Sequence, residues 1–120
     1  MNPAELVWFD PNVHNDENKF YTEMLKEELK IKVNTFTKFE DAVQFIQKDG
    51  RNRRLLVICC GSKGQDLCEA IKMDINVIFL YIFSARVGLH KEWAKNYYKI
   101  QGIYTDILEL MHSIKTQEFF

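Results

Sequence analysis

Five apolar runs of strand length punctuate the chain: Leu6 to Phe9, Ile31 to Phe36, Leu55 to Cys60, Ile75 to Phe83 and Ile100 to Tyr104. Each leads into a polar turn and then into a stretch with helical spacing. Strands covered on both faces read as continuous apolar runs, whereas half-exposed strands alternate, so the pattern predicts a parallel sheet with helices on both sides. Five such βα units predict a doubly wound, three-layer αβα domain with strand order 2-1-3-4-5 and right-handed crossovers.

The helical stretches carry their own signals. Asp10-Pro11-Asn12 is a turn, and Asn15-Asp16-Glu17 supplies a cap and first-turn acids for a helix whose expected apolar stripe is Phe20, Met24, Leu25 and Leu29. Thr37-Lys38-Phe39-Glu40 has the spacing of a capping box and predicts a second helix with Phe39, Ala42, Val43 and Ile46 inward, ended by Gly50. Arg51 to Arg54 form a basic, exposed approach to the third strand. Gly61-Ser62-Lys63-Gly64 reads as a tight loop into a short helix over Gln65 to Lys72. The fourth run is the most apolar and is expected to be the central strand; a helix containing Trp93, Ala94 and Tyr97 follows it. Asp106-Ile107-Leu108-Glu109 is a second capping box, opening a terminal helix with Leu110, Met111 and Ile114 on one face.

Composition narrows the picture. At 120 residues and 47% hydrophobic, the chain is expected to be one domain spanning 1–120, either alone or as part of a longer protein. The 16 bases and 17 acids leave a formal charge of −1, which gives no broad positive field for nucleic acid or an anionic membrane. Cys59, Cys60 and Cys68 are an odd number, with two adjacent in one apolar strand. That suits reduced thiols and a cytoplasmic setting better than a secreted disulfide framework, and Cys59 and Cys60 should point to opposite faces. The first residues, Met1-Asn2-Pro3-Ala4-Glu5, lack the basic and apolar regions of a signal peptide. The longest apolar run falls far short of the ~20 residues that span a bilayer.

In a doubly wound sheet the ligand crevice lies outside the carboxyl ends of the strands, where the strand order reverses between strands one and three. The candidate ligand-binding residues are therefore Asp10, Asn12, Gly61, Ser62, Lys63, Gly64 and Ser84. The Gly61 to Gly64 loop offers backbone N–H groups and the Lys63 charge to an anion, but it has neither the dinucleotide glycine spacing nor a Walker loop. His14, His90 and His112 lack the i, i+4 spacing of a zinc motif, so no metal site is expected. His90 reads as a surface residue capping a helix, and His90, Trp93 and Tyr97 form a candidate interaction surface.

The size and order are similar to those of phosphoacceptor receiver domains, which share the flavodoxin-like plan. Receiver chemistry needs an acidic pair after the first strand for Mg²⁺, an Asp ending the third, a hydroxyl ending the fourth and a Lys ending the fifth. Asp10 matches one acid and Ser84 the hydroxyl, while the third strand ends in Cys60-Gly61 and the fifth runs Gly102-Ile103-Tyr104-Thr105. Ser62, Cys68 and Glu69 loosely resemble the loop and the Cys-plus-Glu helix of TIR domains, some of which cleave NAD. Here Glu69 stands next to Cys68 instead of three positions later, and Leu67 replaces the expected Trp.

Leu6-Val7-Trp8-Phe9-Asp10, His90-Lys91-Glu92-Trp93-Ala94 and Ile100-Gln101-Gly102-Ile103-Tyr104-Thr105-Asp106 resemble an uncharacterised domain. That domain stands at the front of multidomain proteins of rotifers and other small eukaryotes, often before ADP-ribosyltransferase or tetratricopeptide-type regions. The resemblance implies a signalling or scaffold module. Together these readings give a non-enzymatic protein-interaction domain, pseudo-receiver or TIR-like, that needs no cofactor and meets a protein partner or a second copy of itself. The alternative is a domain that binds or processes NAD or another nucleotide in the crevice.

Overall fold

A single parallel sheet in the order β2-β1-β3-β4-β5 carries the molecule. The computed structural model describes residues 3–11, 16–60 and 63–117. The chain runs β1 (Ala4–Phe9), α1 (Asp16–Leu29), β2 (Val33–Phe36), α2 (Phe39–Gln44) with a π-helical turn at Phe45–Asp49, β3 (Arg54–Cys60) and α3 (Gly64–Ile71). It continues through β4 (Val77–Phe83), α4 (Val87–Ala94), β5 (Ile100–Tyr104) and α5 (Ile107–Lys115). The expected strand order is the observed one. Leu6 pairs with Val33 on one side and Leu56 on the other, so β1 is an interior strand.

Alternate side chains feed two cores. Leu6, Trp8, Leu56, Ile58, Cys60 and Tyr81 meet α1 and α5, while Val7, Phe9, Val57, Cys59, Leu80 and Ile82 meet α2, α3 and the α4 side. This two-faced burial is why the strands read as unbroken apolar runs. Cys59 and Cys60 do point to opposite faces. The central strand is β3, not β4. β3 is buried from Leu55 to Cys60, whereas Ile78, Phe79 and Phe83 of β4 are only half-buried, nearer the sheet edge.

Three local expectations are corrected. Thr37 does not cap α2, because Lys38 takes the extended N-cap position and no side-chain cap bond forms. Phe20 is 61% exposed, since α1 buries Asn18, Thr22, Leu25 and Leu29, a stripe that leaves Phe20 on the outer side. Tyr97 lies beyond α4, which stops at Ala94. Asp106, by contrast, caps α5 by accepting a 2.8 Å bond from the Leu108 amide.

Gly50 ends the second helix, through a π turn in which its N–H donates to the Phe45 carbonyl at 2.6 Å. A Cβ at this position would lie 3.1 Å from that oxygen and 3.2 Å from the Leu55 and Phe45 side chains, so a larger residue would have to push these neighbours aside. Asn76 then donates to the Ile46 and Gly50 carbonyls at 2.8 and 3.0 Å, tying the helix end to the start of β4.

Candidate functional site

The carboxyl ends of the strands open into a cleft of about 480 Å³ lined by Pro11, Thr37, Lys38, Glu40, Lys63 and Asp66, with Phe9 and Phe39 at its floor. It lies over β1 and β2 and is bounded by the starts of α2 and α3. Lys63 faces Asp66 at 3.7 Å across its rim. Both groups are well exposed, so this pair adds little to stability. Asn12, Gly61 and Ser62 lie outside the described residues. Gly64 is the buried first residue of α3.

Asp10 does not line this cleft. It is buried, and its carboxylate accepts a 2.8 Å bond from the Asn18 amide of α1. The thiol of Cys60 at the end of β3 is raised well above its ordinary range, by burial first and then by the Asp10 charge. Cys60 is therefore a neutral thiol, with little nucleophilic character. The Ser84 hydroxyl, at the end of β4, accepts from the Arg86 amide at 3.0 Å, an ordinary local turn bond. Tyr104 closes β5, and its hydroxyl shares a 2.7 Å hydrogen bond with Ser113.

The sequence singled out His90 as a surface cap, and the structure corrects this. Arg86 is the N-cap of α4, and His90 is buried one turn inside, where its Nδ1 accepts from Trp93 Nε1 at 3.2 Å. Burial lowers the pKa of His90. Trp93 stacks edge-on against both His90 and Tyr97, and the Tyr97 hydroxyl donates to Glu69 at 3.0 Å. Lys72 holds the same carboxylate, and these two partners lower the Glu69 pKa. The three candidate surface residues thus form one cluster that joins α4 to α3, with its His face turned inward.

Sequence reasoning missed two pairings. Cys68 of α3 brings its sulfur to 3.8 Å from that of Cys59, and the Cys59 thiol is raised well above its usual range by that bond and by burial. The placement of Leu67, Cys68 and Ile71 on the buried side of α3 was the available signal. Asn18 gave no signal, because its partner Asp10 is joined to it only by the fold. Among the described residues no helix is long and apolar enough to cross a membrane, and no cluster of three metal-ligating side chains occurs.

No protein-family model and no curated protein matches the chain. Solved structures do. The chain is similar to the signal receiver domain of a protein named as a Luxo repressor from Vibrio parahaemolyticus, with a TM-score of 0.72 and 15% identity over 96% of this chain and 88% of that one. A response regulator receiver protein from Dyadobacter fermentans gives 0.68 and 16%, over 93% and 95% of the two chains. A de novo designed Rossmann 2x3 protein gives 0.61 and 14%, over 92% and 86%. At such identities the likeness shows the fold, a receiver-like α/β sandwich.

Proposed function

We propose that this chain is a non-enzymatic protein-interaction module of a signalling or scaffold protein, a pseudo-receiver in which the strand ends serve packing and not phosphotransfer. One observation carries the reading. Asp10, the residue that matches a receiver's metal-binding acid, is bound to Asn18 and sits beside the neutral thiol of Cys60. A phosphoacceptor must present an ionised carboxylate to solvent and metal, and a buried thiol offers neither charge nor access. The receiver-like fold supports a signalling context, and the reduced thiols agree with a cytoplasmic one. The test is incubation with Mg²⁺ and acetyl phosphate, read by intact mass. The mass should stay unchanged, and gain of one phosphoryl group would overturn the proposal.

A second reading is favoured by the strand-end cleft, whose volume would admit a nucleotide and whose rim carries Lys38 and Lys63, with Glu40 and Asp66 as their counter-charges. On that reading the domain binds NAD or another nucleotide. A thermal shift with NAD or ATP that Lys63→Ala abolishes would establish it in place of the first. The same titration should leave the melting temperature unmoved if the cleft is only the meeting of two helix starts.

A further inference from the structure

The large apolar side chains exposed among the described residues gather at the two ends of the sheet. Met73, Ile75 and Tyr98, exposed to 81, 97 and 86%, sit in the connections entering β4 and β5. They line one groove of about 500 Å³ with Val77 and Phe79. Phe20, Val87, Leu89 and Leu108 sit in the first two turns of α1, α4 and α5, at the opposite end. In a parallel sheet every α-to-β connection falls at one end and every β-to-α connection at the other, so these are two separate surfaces.

Charge divides the same way. The connections that enter β2 to β5 hold Lys30, Lys32, Arg51, Arg53, Lys72, Lys95 and Lys99, with Asp74 as their one acid. Glu5, Glu69 and Glu92 pair with Arg53, Lys72 and Lys95; the last turn of α1 and the π turn add Glu27, Glu28 and Asp49 against Lys26 and Lys48, and the bases still outnumber the acids at this end. At the other end the first turns and caps hold Asp16, Glu17, Glu40, Asp41, Asp66, Asp106 and Glu109 against Lys19, Lys38, Lys63 and Arg86. Helix dipoles explain why acids favour helix starts and bases helix ends. They do not explain why Met73, Ile75 and Tyr98 come together uncovered along one groove, a contiguous apolar patch of the kind that marks a contact site.

We infer that copies of this chain associate head to tail, the basic Met73, Ile75 and Tyr98 end of one copy meeting the acidic end of the next where the starts of α1 and α5, packed side by side, expose Phe20 and Leu108 among Asp16, Glu17, Asp106 and Glu109. The inference rests on the reading of the chain as an interaction module and names the partner as a second copy, because the surface complementary in charge is on the molecule itself. Such a contact is heterologous and does not close on itself, so assembly grows with concentration and opposite charges make it salt-sensitive.

Sedimentation equilibrium of the full chain tests this. At ~0.01 M salt the mean mass should at least double across a concentration series; at ~1 M salt, where the screening length falls to about 3 Å, it should return to the monomer. Ile75→Asp should be monomeric, as should the double variant Phe20→Asp with Leu108→Asp. Each keeps one intact end, so an equimolar mixture should form a one-to-one dimer and stop there. If Ile75→Asp shifts the thermal melt, Lys72→Glu with Lys95→Glu replaces it as the variant of the basic end. A wild-type chain that stays monomeric throughout, a variant that still assembles alone, or a mixture that fails to pair overturns the head-to-tail contact. Failure here leaves the acetyl phosphate result untouched, so the contact and the wider reading can fail separately.

Discussion

Asn76 shows how much one polar side chain in an apolar run can decide. It interrupts the fourth hydrophobic stretch, and its amide donates to the Ile46 carbonyl and, beside the Arg53 N–H, to the Gly50 carbonyl at the end of the second helix. The helix end, the tight passage at Gly50 and the entry to β4 are thereby held by one residue. Asn76→Ala should lower stability by about 1–3 kcal/mol, the range for removing donors from part-buried carbonyls, read from the denaturant midpoint. Asn76→Asp is nearly the same size but donates no such bonds, so it should cost a similar amount. A loss below about 0.5 kcal/mol in both would show that water replaces the bonds. In the sequence Asn76 was visible as an anomaly, but its partners lie 26 and 30 residues back and only the fold brings them near.

Helix starts show the same limit on the scale of an element. Thr37 and Asp106 both precede a Glu by three residues, and sequence spacing cannot tell them apart. Asp106 is extended at its N-cap and accepts from Leu108, whereas the corresponding position in α2 belongs to Lys38, leaving Thr37 one residue too early. Asp106→Ala should therefore cost about 1 kcal/mol, while Thr37→Ala should stay within about 0.5 kcal/mol. Equal losses in the two variants, compared by urea midpoints, would contradict the assignment of the caps. The stripe of α1 was misread for a related reason. Asn18 and Thr22 are buried because each has a partner, Asp10 for one and the Lys19 carbonyl for the other, and such partners do not appear in a hydropathy pattern.

At the scale of the molecule, strand count, order and two-faced burial were legible because parallel strands buried on both sides leave a direct trace in the sequence. The candidate site was legible only as a location. Lys63 does line the cleft, but Asp10 is turned into the fold, and His90 faces Trp93 instead of solvent. Buried His90 and the buried thiols shape how stability responds to pH. Burial holds the His90 pKa below its ordinary value, so as pH falls below about 6.5 the unfolded chain takes up a proton that the folded chain resists, and stability drops. Cys59 and Cys60 are displaced upward, so above about pH 8.5 the unfolded thiols ionise while the folded ones keep their protons, and stability drops again. Stability should be greatest between these limits. His90→Gln, which still offers an acceptor to Trp93, should flatten the acid side, and Cys60→Ala should make the alkaline side shallower, both read from urea midpoints at a series of pH values. An acid limb unchanged in His90→Gln would mean that His90 titrates alike in both states, and that the packing of α4 against α3 leaves its imidazole open to water.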